Sequence, residues 1–302
     1  KAFSDASQLF SRLTWENISV IMKNNFGGYK MIERQIEHFD LGQICDSGQC
    51  FRMERVEEGR YRVCAGSRSL IVSQEKEQFR FDCSQEDFEN FWEDYFDLKT
   101  DYGNYIEQIN PRDSYLVHAA EFGSGIRILK QDLWEMIVSF LISQQNHIGR
   151  IQRCIENLCR TYGERRQDMS GEYYDAFPKP EVLAELDEDA LKACNLGYRS
   201  KYVVRSARSV AGGEISLNEL EQMSFAKARK ELMGLYGVGE KVADCICLFA
   251  LHQLDAFPID THIRQALDAH YRRGFPNRRY KGFRGVMQQY IFYYELKGRK
   301  QI

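Results

Sequence analysis

The 302 residues carry 41 Lys and Arg against 44 Asp and Glu, a net charge of −3, with 43% hydrophobic residues. That is enough apolar material for two domains or one large one; it gives no overall basic field, and no apolar run reaches membrane-spanning length. Nine cysteines, an odd number with no Cys-x-x-Cys pair, argue against a secreted disulfide framework and a zinc site; with no signal peptide evident, they point to an intracellular, reducing setting.

Residues 1–30 match no usable pattern, and Met31 reads as a natural domain start, so 1–30 is set apart as an N-terminal extension of unknown role. From about 32 to 83 the pattern is β, with short runs at Tyr61–Ala65, Leu70–Ser73 and Phe79–Phe81 and turns at Glu58-Gly59 and Gly66-Ser67. Ser84 begins a helix with Asp87 at a capping-box position. In it Phe88, Phe91, Trp92, Tyr95 and Phe96 form one aromatic stripe, read as core rather than as a base-stacking platform. Its acidic outer face (Glu86, Glu89, Glu93, Asp94) should turn away from any polyanion. These segments make up an antiparallel β domain with a packing helix, 31–113.

The rest, 114–302, reads as helical. Leu133–Leu141 is apolar, Ile148–Cys159 amphipathic, and Pro178 and Pro180 punctuate before Asp187–Cys194. Tyr202–Val210, Phe225–Leu235 and Val286–Leu296 follow. The fold class is therefore α+β, sheet first and helices after. Residues 271–300 carry Arg272, Arg273, Arg278, Arg279, Lys281, Arg284, Lys297, Arg299 and Lys300 against only Glu295. Such a run is either a local DNA-binding surface or a solvated charged tail.

The segment Gly237-Val238-Gly239-Glu240-Lys241-Val242-Ala243-Asp244-Cys245, followed by Phe257-Pro258-Ile259-Asp260-Thr261-His262, carries the most chemistry. Gly237 and Gly239 can both adopt backbone angles closed to other residues, and a tight turn there would aim successive N–H groups outward at a helix N-terminus, a ready anion site. The helix should run from Glu240 to about Leu251, with Val242, Ile246 and Phe249 facing inward. Lys241 and Cys245 are i,i+4 neighbours over one pocket. Alone, Lys241 would read as a solvated helix lysine, and Asp260 as an N-cap after a Pro turn; a cap can also be catalytic.

The order Lys-Val-Ala-Asp-Cys, then Pro-Ile-Asp-Thr-His, resembles the active site of lysine-using helix-hairpin-helix DNA glycosylases, the 8-oxoguanine DNA glycosylases in particular. The similarity covers about residues 31–300 and implies an N-terminal antiparallel β domain followed by an all-helical domain holding the hairpin. It implies that Lys241 attacks C1′ as an imine-forming nucleophile and that Asp260 stabilises the positive charge developing on the sugar. A lysine near its ordinary pKa of about 10.4 is almost wholly protonated at neutral pH, so burial or a proton acceptor must activate it.

The resemblance assigns the remaining roles. Ser47-Gly48-Gln49 would offer the Gly48 carbonyl to the N7 hydrogen that 8-oxoguanine has and guanine lacks. Gln288 would bond the Watson–Crick edge of a flipped base, with Phe292 stacked on one face and Cys245 covering the other; Gln288 rather than Gln289 follows from the register. Gln145, Arg150 and Arg199 would read the orphaned cytosine, Gln145 departing from the commoner Asn, and Tyr198 would be the wedge. Gly237, Gly239 and His262 would hold phosphate, and the carbonyls of Met233, Leu235 and Val238 could hold a structural cation. Tyr236 replaces the family's usual Pro, a change expected to loosen the turn.

The partner implied is double-stranded DNA containing oxidised guanine, met by a monomer needing no cofactor; the four-cysteine iron–sulfur loop of some relatives is absent. The competing readings are a monofunctional alkyl-base glycosylase, which would not need Lys241, and a non-catalytic helix-hairpin-helix DNA-binding protein.

Overall fold

The computed structural model describes residues 31–298. The N-terminal extension, Arg299 and Lys300 lie outside the described residues. A sheet comes first: β1 (Ile32–Gln35), β2 (Met53–Glu57), β3 (Arg60–Ala65), β4 (Arg68–Glu75) and β5 (Gln78–Phe81), with α1 (Leu41–Asp46) between β1 and β2. Its order is β1-β5-β4-β3-β2, every neighbour antiparallel, with Val63 opposite Leu70 and Val72 opposite Phe81. Both expected turns form, with Gly59 at φ 68° and Gly66 at φ 55°. A Cβ on Gly59 would sit 2.8 Å from the Gln74 carbonyl oxygen, so that turn requires glycine.

Ser84 caps the aromatic helix as expected, accepting from the Asp87 N–H. The helix (α2) is not uniform: Gln85–Asp87 and Glu93–Tyr95 are α-wound, and Phe88–Trp92 between them is π-wound. The wider turn leaves Phe91 half-buried at the rim under Arg68, 4.7 Å from its ring centroid, while Phe88, Trp92, Tyr95 and Phe96 join the sheet core. On the outer face Asp94 is tied to Lys130 and Glu93 to Lys99.

The helices follow: α3 (Tyr102–Glu107), α4 (Ser114–Phe122), α5 (Leu133–Ser143), α6 (Ile148–Tyr162), α7 (Pro180–Ala184), α8 (Ser200–Ala211), α9 (Leu217–Gln222), α10 (Phe225–Leu232), α11 (Glu240–Phe249), α12 (Thr261–His270) and α13 (Arg284–Lys297). A small hairpin, β6 (Arg165–Gln167) with β7 (Tyr173–Asp175), interrupts them. Tyr102 and Ile109 pack in the helical core, as does Phe51 from the sheet side, while Leu129 packs in the sheet core. Among the described residues no helix is long and apolar enough to cross a membrane.

Two buried polar assemblies lock the domains together. Glu135 on α5 accepts from the Gly66 N–H at 2.7 Å and pairs with Arg52 at 3.3 Å. Burial pushes its carboxyl pKa up, and the Arg52 charge draws it only partly back. The second assembly is built from glutamines. Gln49 accepts from the Leu129 N–H and donates to the Arg127 carbonyl. Gln131 donates to the Gln49 carbonyl at 2.9 Å and, through its own N–H, to the Phe249 carbonyl at 3.0 Å. Phe249 ends α11, so the loop carrying Gly48 and the helix carrying Lys241 are tied by hydrogen bonds through one residue.

Candidate active site

The hairpin lies between α10 and α11. Gly237 has φ 92°, and a Cβ there would meet the Tyr202 ring at 2.7 Å. Gly239 does not need glycine's freedom: its φ of −96° and ψ of 179° are extended backbone open to any residue. Of the two, only Gly237 uses a backbone angle closed to other residues. The Tyr236 ring packs edge-on against Tyr202 at 5.4 Å.

α11 carries Lys241 on its first turn and Cys245 one turn later, as their spacing requires. α12 begins at Asp260, whose carboxylate accepts from the Ile263 N–H at 2.8 Å and so caps the helix. α13 contributes Gln288 and Phe292 on one face. These three helices and the Gly48 loop meet around a single pocket lined by Gly48, Lys241, Cys245, Asp260, Gln288 and Phe292, together with Phe140, Phe249, Pro258 and Gln289. Every base-pocket and catalytic residue picked from the sequence is therefore in one cavity.

Polar and apolar groups share its lining. The Lys241 amine lies 5.8 Å from the centroid of the Phe140 ring. Cys245 is 3% exposed. Burial pushes its thiol up, while the charge of Lys241 and a hydrogen bond to it act in the opposite direction; the net shift is upward. At neutral pH the thiol keeps its proton and presents a neutral, polarisable surface. Across the pocket Phe292 lies over Gly48: a Cβ on Gly48 would fall 3.1 Å from the Phe292 ring, and Gly48 itself has φ 73°.

The two glutamines of α13 divide their work. Gln289 donates to the Ser47 carbonyl at 2.8 Å and holds the Gly48 loop in place. Gln288, 4% exposed, donates to the Pro258 carbonyl at 3.1 Å, and its Oε1 is buried with no hydrogen-bond partner. A buried acceptor without a donor costs about 1–3 kcal/mol; facing a pocket, it is a site for a ligand N–H.

The residues expected at the opposite strand sit along a neighbouring ridge. Tyr198 is 44% exposed, and its hydroxyl reaches the side chain of Gln145 at 3.4 Å. Gln145 has φ 48°, an uncommon conformation for a residue with a Cβ. Arg150 is exposed on the first turn of α6, where its N–H bonds to the His147 side chain. Arg199 differs from an outward-reaching reader. It is 3% exposed, and its guanidinium is spent on the carbonyls of Gln144, Gln145 and Leu196 while lying 4.6 Å from the Tyr198 ring. His262 is exposed at the pocket mouth, edge-on to Phe292 at 5.9 Å. Of the carbonyls considered for a cation, that of Leu235 already accepts from the Val238 N–H at 3.1 Å, leaving one lone pair.

The sequence did not mark Phe140 or Phe249 as pocket walls, since each sits in an apolar helical run that reads simply as core. Nor did it show the Gln144 side chain donating to the Gly237 carbonyl at 3.0 Å, a contact between residues far apart in the chain.

Comparison with known proteins agrees with this architecture. Residues 31–137 match the family described as 8-oxoguanine DNA glycosylase, N-terminal domain, and residues 138–278 match the HhH-GPD superfamily of base excision DNA repair proteins. An N-glycosylase/DNA lyase of Saccharomyces cerevisiae is 34% identical over 159 residues, 49% of this chain but only 42% of that protein. A probable N-glycosylase/DNA lyase of Methanothermobacter thermautotrophicus is 30% identical over 66% of this chain and 70% of its own length. Among solved structures, the Clostridium acetobutylicum 8-oxoguanine glycosylase/lyase, in complex with double-stranded DNA containing cytosine opposite 8-oxoG, has a TM-score of 0.83. It is 33% identical over 92% of this chain and 100% of that one. Since the two family matches run on from each other through sheet and hairpin alike, the chain belongs to the HhH-GPD superfamily of base excision DNA repair proteins, in its 8-oxoguanine DNA glycosylase branch.

Proposed function

We infer that the protein is a bifunctional DNA glycosylase and abasic-site lyase that removes 8-oxoguanine from duplex DNA and works inside the cell. The observation that carries this reading is the unpartnered Gln288 Oε1 buried in the pocket that also holds Lys241 and Asp260. A purine's Watson–Crick edge supplies the missing N–H groups.

The glycosidic carbon of a paired nucleotide is out of reach, so the lesion must leave the stack. Tyr198 fills the gap, Arg199 stiffens the turn beneath it, and Gln145 and Arg150 face the estranged base. Gly237, Gly239 and His262 hold the phosphates beside the lesion, and a cation on the Met233, Leu235 and Val238 carbonyls would extend that grip. In the pocket the base lies between Phe292 and Cys245. Gln288 reads its edge, and the Gly48 carbonyl accepts the N7 hydrogen peculiar to the oxidised base. The Lys241 nitrogen bonds to C1′ as the C1′–N9 bond breaks, the electron pair and a proton going to the base; Asp260 stabilises the cationic sugar. The lysine adduct opens to an imine, loss of a C2′ proton follows, and the 3′ phosphate leaves, nicking the strand. No cofactor is needed for these steps.

Borohydride treatment during reaction with an 8-oxoguanine·cytosine duplex should trap a covalent protein–DNA band by reducing the imine. Base release without a band would replace this reading by a monofunctional glycosylase; neither release nor band would leave a DNA-binding protein.

Gly48→Ala should separate lesion recognition from lyase chemistry. The new methyl demands a left-handed backbone costing about 1–2 kcal/mol and crowds the Phe292 ring at 3.1 Å. Excision of 8-oxoguanine should fall by at least about tenfold, while cleavage of a preformed abasic site, which places no base in the pocket, stays close to wild type. Equal losses on the two substrates would show that Gly48 serves folding only.

A further inference from the structure

Three tyrosines form a continuous edge-to-face stack from the wedge to the hairpin. The rings of Tyr198 and Tyr202 are 5.6 Å apart at 75°, and those of Tyr202 and Tyr236 are 5.4 Å apart at 71°. Both ends are braced. The Arg205 guanidinium lies 4.3 Å from the Tyr236 centroid and is itself held by both oxygens of Glu188, at 2.7 and 3.0 Å. At the other end Arg199 supports Tyr198. The middle has no slack, because Gly237 touches the Tyr202 ring so closely that even a methyl would overlap it. The Gln144–Gly237 hydrogen bond closes the circuit beside the stack.

The terminal rings reach the surface, Tyr198 being 44% and Tyr236 43% exposed. The Lys201 amine stands 5.9 Å from the Tyr202 centroid and 6.0 Å from that of Tyr236, setting a cation beside the exposed edge. Exposed aromatics beside cations suit a nucleic-acid surface. The hairpin grips the strand that carries the lesion, and the wedge enters where that strand has lost a base. A stiff connection between them makes the two events concerted.

We propose that Tyr202 and Tyr236 form an aromatic strut that couples the hairpin's hold on phosphate to insertion of the Tyr198 wedge, with Tyr236 a positioning residue for base extrusion. The inference rests on the glycosylase reading above. Tyr236 touches neither the base pocket nor the reacting atoms; it acts through Tyr202 and Tyr198.

The test compares Tyr236→Ala and Tyr236→Phe, each with and without Tyr198→Ala. Single-turnover excision from an 8-oxoguanine·cytosine duplex is measured beside borohydride trapping on a duplex with a preformed abasic site. Tyr236→Ala should slow excision about five- to tenfold, the scale of one or two aromatic contacts. Abasic trapping should be unchanged, since no base has to be extruded. Tyr236→Phe keeps the ring and should restore the rate. In the Tyr198→Ala background the Ala substitution should have no further effect. Tyr236→Leu, which fills the space without a ring, carries the same expectation and serves if Ala disturbs the hairpin. Wild-type excision by both Tyr236→Ala and Tyr236→Leu, or effects at 198 and 236 that multiply, would overturn the strut. Wild-type protein inert on both substrates would instead overturn the glycosylase reading.

Discussion

Lys241→Gln should give a protein that folds and binds 8-oxoguanine duplex yet neither excises the base, nicks the strand nor forms a borohydride adduct. Lys241 is half-buried on the first turn of α11, and Gln has nearly the same helix propensity, so stability should change by less than about 0.5 kcal/mol. The phosphate grips proposed for the hairpin and His262 lie on other residues, so affinity should survive. The slope of log K against log salt should shift by no more than about one charge. Activity is another matter. Removing an activated nucleophile typically costs more than about 10⁴-fold, because the groups around it cannot substitute for the bond it forms. Single-turnover excision and gel-shift titrations on one batch of protein check both halves. Excision within tenfold of wild type would pass the nucleophile's role to water and leave Lys241 a phosphate contact. The thiol of Cys245 gives a useful control, since burial pushes it up and keeps it protonated; it should not replace the missing amine.

What could be read in the sequence was local. Lys241 with Cys245 and Gln288 with Phe292 each share a helix at i,i+4, so periodicity placed each pair on one face. Asp260 announced its cap by following Pro258, and the β turns announced themselves by glycine. What escaped notice depends on partners distant in the chain. Arg199, expected to reach the orphaned cytosine, is drawn inside by three backbone carbonyls. Arg284 and Lys297 look like part of a basic run until the fold pairs them with Asp255 and Asp46. Short elements such as α1 and the β6–β7 hairpin span too few residues to show a period. The π-wound turn in α2 keeps the aromatic spacing that suggested a uniform helix, and only the hydrogen bonds reveal it. Gln288 and Gln289 are adjacent and chemically identical; what distinguishes them is their partners, Pro258 and Ser47, neither near them in sequence.

Substitution can pull the helix cap at Asp260 apart from its proposed catalytic role. Its carboxylate accepts from the Ile263 N–H at 2.8 Å, and the same group lines the pocket with Lys241. Asn caps a helix about as well as Asp does, whereas Ala does not and costs about 1 kcal/mol. Asp260→Asn should therefore melt close to wild type, and Asp260→Ala a few degrees lower. In catalysis the two should look alike. The sugar develops positive charge as the base departs, and a neutral amide offers its carbonyl dipole in place of a full negative charge. Loss of a preorganised electrostatic group of this kind costs about 10²–10³-fold, so both variants should slow excision by that amount while still binding lesion DNA. If Asp260→Asn excised at the wild-type rate and only Asp260→Ala were impaired, the aspartate would be a cap and the charge on the sugar would have to be stabilised elsewhere. If both variants excised slowly but trapped preformed abasic sites at the wild-type rate, its charge would act in breaking the glycosidic bond and not in forming the imine. That result would separate the two chemical steps proposed for Lys241.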